Sequence, residues 1–123
     1  MTRVLGLDVG DRRTGIAVSD ELGLTARALE TVETAALSEA LAKRQAEFGV
    51  GTIVVGRPRS LDGSLGRQAE RIDAVVERLK LAAPAEYVYE DETGTTKAAE
   101  AQADGSDAEA ARVMLQGYLN EQA

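Results

Sequence analysis

Residues 4–19 read VLGLDVGDRRTGIAVS, and no other stretch restricts the fold as tightly. Two short apolar runs, Val4–Val9 and Ile16–Val18, flank a turn built from Gly10, Asp11, Arg12 and Arg13. Runs this short, rich in Val, Ile and Leu around a glycine-containing turn, predict a β-hairpin. A later run, TIVVG at residues 52–56, shows no alternation, the pattern of a strand covered on both faces. A hairpin joined to such a strand implies a sheet with helices packed on it. Asp8 breaks the first run. An unpaired carboxylate on a packed strand costs several kcal/mol, so its presence needs a reason.

The rest of the chain completes the pattern. Strands are predicted at Arg3–Asp8, Thr14–Ser19 and about Leu24–Thr31. A helix over Ala35–Phe48 carries Leu37, Leu41 and Phe48 at helical spacing and stops at Gly49 and Gly51. After Thr52–Gly56 comes a loop, RPRSLDGS. A helix over Leu65–Leu81 then places Leu65, Ala69, Ile72, Val75, Val76 and Leu79 on one face. A strand at Ala85–Asp91 follows Pro84. The alanine-rich TTKAAEAQA is predicted helical up to Gly105, and a last helix runs over Asp107–Asn120. The order β-β-β-α-β-α-β-α-α gives one mixed five-stranded α/β sheet flanked by helices. The 123 residues are expected to form a single domain, 1–123.

Two absences narrow the chemistry. There is no histidine and no cysteine, which removes imidazole and thiolate from any nucleophile pair or metal site. Hydrolysis would have to rest on carboxylates, lysine or a bound metal. Aromatic residues make up 3% of the chain with no Trp, too few for a stacking platform for single-stranded bases. The net charge of −7 opposes bulk attraction to nucleic acid and leaves room only for a local basic patch. No apolar stretch reaches membrane-spanning length, no signal-peptide pattern is seen, and the lack of cysteine suits a reducing compartment. A cytoplasmic protein without membrane contact is expected.

In the expected sheet the first, fourth and fifth strands are neighbours, and ligands bind beyond their carboxyl ends. Asp8 lies at the end of strand one, Glu90-Asp91-Glu92 ends strand five, and Asp107 opens the last helix. Without histidine or cysteine, clustered acids are best tolerated around divalent cations, and hard oxygen ligands suit Mg²⁺ or Mn²⁺. Each acid also has a plainer reading. Asp8 could accept N–H bonds in a turn, the 90–92 run could be a solvated strand end, and Ser106-x-x-Glu109 is a capping box around Asp107. The metal reading rests on the three positions together.

The stretches LDVGDRRTGIAVSD (7–20), VVGRPRSLDGS (54–64), YEDETGTT (89–96) and SDAEAA (106–111) resemble, in order, motifs of the YqgF/RuvX-like family. Its members are described as pre-16S ribosomal RNA nucleases and as Holliday-junction resolvase-like proteins of ribonuclease-H-like fold. The resemblance implies that Asp8, Glu92 and Asp107 are the catalytic, metal-binding acids, holding Mg²⁺ or Mn²⁺. It departs from the family at Thr93-Gly94, where Arg-Leu is usual, and at the short acidic stretch before Asp107.

For nucleic-acid contacts the candidates are Arg12 and Arg13 in the first turn, and Arg57 and Arg59 around Pro58. Arg67 and Arg71, which share a helix face with Arg78, are further candidates. The expected function is therefore a metal-dependent endonuclease on precursor ribosomal RNA or a four-way DNA junction. Symmetric junction cleavage would require a homodimer. Two other readings compete. One is a non-catalytic RNA-binding or assembly module on this fold. The other is a phosphotransferase, since DVG…TGIAV also resembles the phosphate-loop hairpin of actin-like kinases, which need two such domains.

Overall fold

Strand β1 (Val4–Val9) occupies the middle of the sheet, where both of its faces can be covered. It pairs antiparallel with β2 (Arg13–Ser19) and parallel with β4 (Thr52–Pro58). On the outside, β3 (Ala26–Glu33) runs antiparallel to β2, and β5 (Glu86–Glu92) runs parallel to β4. The order is β3-β2-β1-β4-β5. The structure, a computed structural model, describes residues 3–58, 66–92 and 107–122; for Pro58, Gly66, Arg67 and Glu92 it describes the backbone only.

A short 3-10 turn, Thr34–Ala36, leads into α1 (Leu37–Phe48), and α2 (Gly66–Ala82) follows β4. The last helix, α3, spans Asp107–Gln122. Period-two alternation sorts the strands between these helices. Leu5, Leu7 and Val9 join Ile53 and Val55 beneath Leu37 and Leu41 of α1 and Ile72, Val76 and Leu79 of α2. On the other face Ala17 and Val54 pack against Ala111, Met114, Leu115 and Leu119 of α3. Each fully buried Leu or Ile contributes about 1.5–3 kcal/mol, so both layers hold the sheet. Gly6 lets α3 come close: a Cβ there would lie 2.9 Å from the Leu115 Cβ.

All five expected strands and the strand order are present, with ends shifted by one or two residues. The third strand begins later than its apolar pattern implied. Asp20 accepts the backbone N–H groups of Leu24 (2.8 Å) and Thr25 (3.3 Å), holding Leu24 in an exposed turn. The helix expected over 95–103 and the capping residue Ser106 lie outside the described residues.

Strand β3 carries a bulge. Ile16 pairs with Glu30 but Ala17 pairs with Ala28, so Leu29 is an extra residue in β3. Such a bulge re-aims the side chains beyond it. Here it puts Thr31, not Glu30, beside Gly15 on the α3 face, and Glu30 turns to Arg44 of α1 (2.6 Å) on the opposite face.

Candidate active site

The β1–β2 turn is tied down from below. Thr34 donates its hydroxyl to the Gly10 carbonyl (2.7 Å) and its backbone N–H to the Arg12 carbonyl (2.8 Å). With that proton used, the Thr34 oxygen receives the hydroxyl of buried Thr14 (2.9 Å). Gly10 N–H closes the turn on the Arg13 carbonyl at 2.9 Å. Asp11, Arg12 and Arg13 are left exposed around this fixed backbone.

Asp8, half-buried, pairs in register with Gly15 of β2, and Gly15 with Thr31 of β3. Side chains directly opposite one another in antiparallel strands share a face, so these three form a row under α3. The helix begins on that row. A Cβ on Gly15 would stand 1.8 Å from the Asp107 carbonyl oxygen and 2.6 Å from the Ala108 nitrogen. Thr31 Oγ1 accepts the Ala108 N–H at 3.1 Å, serving as a cap supplied by the sheet. Arg13 Nε lies 3.2 Å from Asp107 Oδ2. Arg13 is exposed and Asp107 partly so, and the ion pair adds at most about 1 kcal/mol. Its effect is to orient the Asp107 carboxylate.

The first residue of α3, Asp107, thus lies with its backbone on Gly15, the register partner of Asp8. Glu92 closes β5 opposite Pro58, and only its backbone is described. Two residues earlier, Glu90 hydrogen-bonds Glu121 of α3. Burial first, then that bond and the nearby charges of Glu121 and Asp91, push Glu90 up to about 7. Asp107 and Glu121 are fourteen helical positions apart, roughly 21 Å; Glu90 therefore meets the far end of α3. Among the described residues no group of three or more acids is close enough to hold a metal ion.

The arginines divide between the two faces. Arg13 stands with Asp107. Arg57, a candidate for nucleic-acid contact, does not stand with Asp107. It lies at the same end of the sheet but on the α2 face, where its Nη2 binds Asp73 Oδ2 (3.1 Å) and its guanidinium stacks 5.2 Å from the centre of the Tyr89 ring. Its Nε is buried and has no hydrogen-bond partner among the described residues. The strand runs on to Pro58, two residues past its expected end, so Arg57 follows Ile53 and Val55 on the face that α2 covers. Arg71 of α2 binds both Asp11 oxygens at 2.8 Å. Arg12 is exposed in the turn, while Arg59 and the Arg67 side chain lie outside the described residues. Thr31 carried no distinguishing signal in the sequence, Gly15 stood only as part of the first motif, and Glu90 as part of the acidic run that ends strand five.

A mixed β3-β2-β1-β4-β5 sheet with helices on both faces and an acid ending its central strand defines a ribonuclease-H-like α/β protein. Solved structures share it. RuvC of T. thermophilus, solved with a Holliday junction substrate, superposes with a TM-score of 0.62, covering 99% of this chain and 96% of that one at 14% identity. The fowlpox virus Holliday junction resolvase gives 0.57, covering 98% and 99% at 11% identity. Likeness at such identities establishes the fold. Sequence comparison goes further: the family model RuvX, described as Holliday junction resolvase, matches residues 2–121. A relative from Halalkalibacterium halodurans is 40% identical over 98% of this chain and 97% of its own length. Another, from Symbiobacterium thermophilum, is 42% identical over 98% and 94%. Both are named as candidate pre-16S rRNA nucleases. The chain belongs to the RuvX family.

Proposed function

We propose that this protein is a divalent-metal-dependent nuclease that hydrolyses phosphodiester bonds in structured nucleic acid, with precursor 16S ribosomal RNA as its substrate. The observation that carries the reading is the start of α3 lying on Gly15, the register partner of Asp8. It supports bringing two acids 99 positions apart in sequence to one site, in a fold and family of nucleases. The names of the relatives favour RNA. The RuvC and fowlpox structures favour a four-way junction as the second substrate, and cutting one symmetrically would require two sites and hence a two-fold dimer.

The donor chemistry suits Mg²⁺ or Mn²⁺. Every candidate ligand offers carboxylate oxygen, and the chain contains no softer imidazole or thiolate. Asp8 and Asp107 would hold the ion, with Glu92 from the end of β5 as third ligand. A divalent ion held by these acids would supply activation of a water and stabilisation of charge on the phosphate. Arg13 offsets the Asp107 charge and stands ready for a phosphate oxygen. Thr31 keeps the first turn of α3 against the sheet, so that Asp107 is held by backbone contacts. No described helix is long and apolar enough to cross a membrane. A cytoplasmic site of action fits the substrate.

The test is cleavage of labelled precursor RNA and of a labelled four-way junction by wild type and by Asp8→Asn. Wild type is expected to cut with Mg²⁺ or Mn²⁺ and to stop with chelator. Asp8→Asn is expected to be inactive and at least as stable, because removing one acid relieves repulsion in the metal-free protein. Wild-type rates from Asp8→Asn, or cleavage by clean protein without metal, would refute the mechanism.

A further inference from the structure

The Asp8 row faces α3. A cleft of about 650 Å³ opens on the other face, between the β1–β2 turn and α2. Val9, Ile72 and Val75 form its apolar floor, Thr34 closes one side, and Arg71 and Arg78 stand on its α2 wall. A second cleft of about 520 Å³ lies beside Asp11, Arg12 and Arg13. Asp11 borders both. A line of arginines therefore leaves the candidate active site at Arg13, passes Arg12 in the turn, and continues along α2 through Arg71 to Arg78.

The electrostatics of this line are unusual for a chain of net charge −7. Among the described residues the side chains of Arg12 and Arg78 make no hydrogen bond or ion pair, whereas that of Arg71 is held by Asp11. That bridge is weak by its setting, since both side chains are more than half exposed (58% and 66%). A phosphate can replace one exposed carboxylate at little cost and gains a charge-assisted bond. Arg71 and Arg78 lie seven residues apart on α2, roughly 10.5 Å along the axis. A nucleic-acid strand carries one charge per about 3.4 Å of helix axis, so this interval spans about three phosphates.

We propose that the cleft between the β1–β2 turn and α2 is a second nucleic-acid site. It receives the phosphodiester backbone beyond the bond to be cut, and Asp11 is the anion that phosphate displaces from Arg71. The proposal rests on the nuclease reading and extends it. The active-site acids face α3, while an extended substrate is held at α2, around the end of the sheet. Asp11 acts as a placeholder that keeps Arg71 oriented in the free protein and lowers affinity for short or incidental anions.

Binding measured in chelator separates this site from catalysis. The probes are a long RNA duplex able to reach α2 and a short one confined to the strand edge, titrated over a range of salt. Arg78→Ala is expected to weaken long-duplex binding about threefold to tenfold and to lower its salt slope by close to one. It should leave the short duplex unchanged. Asp11→Asn is expected to tighten long-duplex binding several-fold, a gain that misfolding cannot mimic. Adding Arg71→Ala to Asp11→Asn should abolish that gain. If wild type binds both duplexes and neither Arg78→Ala nor Asp11→Asn changes the long one, the cleft is not a nucleic-acid site, and the active-site reading stands. If polyglutamate competes at the cleft and the long duplex does not, the cleft takes an acidic peptide and the proposal fails. Failure of wild type to bind either duplex overturns this proposal, while the nuclease reading stands or falls by cleavage with metal.

Discussion

Gly15→Ala is the sharpest probe of how Asp107 is placed. The added Cβ would stand 1.8 Å from the Asp107 carbonyl oxygen and 2.2 Å from its carbon, where ordinary contact begins at 3.4 Å. Backbone atoms cannot swing aside as a side-chain tip can, so the start of α3 must lift by about 1.6 Å from the sheet. Overpacking of this kind costs about 1–3 kcal/mol. Lifting the helix also breaks the bond from Ala108 N–H to Thr31 Oγ1, worth about 1 kcal/mol more. Against this, alanine restricts the unfolded chain and returns about 0.4–1 kcal/mol. Overpacking wins, and a net loss of about 1–3 kcal/mol corresponds to a Tm lower by roughly 4–12 °C in a domain of this size. A thermal melt measures it. Thr31→Val is the control, because it removes the cap while keeping the packing and should cost only about 1 kcal/mol. The functional consequence is read separately, as turnover against Mn²⁺ concentration well below Tm. Gly15→Ala should need more Mn²⁺ than Thr31→Val. A Tm equal to or above wild type would show that α3 does not rest on Gly15 and would refute the placement of Asp107.

Asp107→Asn should change stability by less than about 1 kcal/mol, since its partner Arg13 is exposed, while apparent Mn²⁺ affinity and turnover fall together. A titration curve that overlays wild type would make Asp107 a first-turn acid favoured by the helix dipole. Asp20 is held below the usual carboxylate range, chiefly by the Leu24 N–H bond. A folded pKa below the unfolded one means that its stabilising effect is complete above the carboxylate range and disappears as pH falls through it. Asp20→Ala should therefore lower Tm more at neutral pH than in acid, and an equal loss at both would show that the turn does not depend on the charge.

Much of this protein was legible in its sequence because strand and helix patterns are local. The runs VLGLDV and TIVVG mark strands of a covered sheet, and Leu37, Leu41, Ile72, Val76 and Leu79 reach the core that their spacing implied. Asp8 announced itself as an acid where an apolar residue belongs. What the sequence could not carry is the choice of face, because a single inserted residue reverses it. Leu29 is that residue in β3, and its bulge brings Thr31 beneath α3 and sends Glu30 to Arg44. Leu24 reads as apolar and belongs to a strand by pattern, yet two backbone bonds to Asp20 hold it in the turn. Arg57 sits at the expected edge of the sheet and faces α2, since alternation fixes which residues it shares a face with but not which helix covers them. The approach of Asp107 to Gly15, the step that gives Asp8 a neighbouring acid, exists only because packing places the start of α3 on a bare glycine backbone. Close approach between segments distant in sequence is decided by the whole core, so it is a property of the tertiary structure alone.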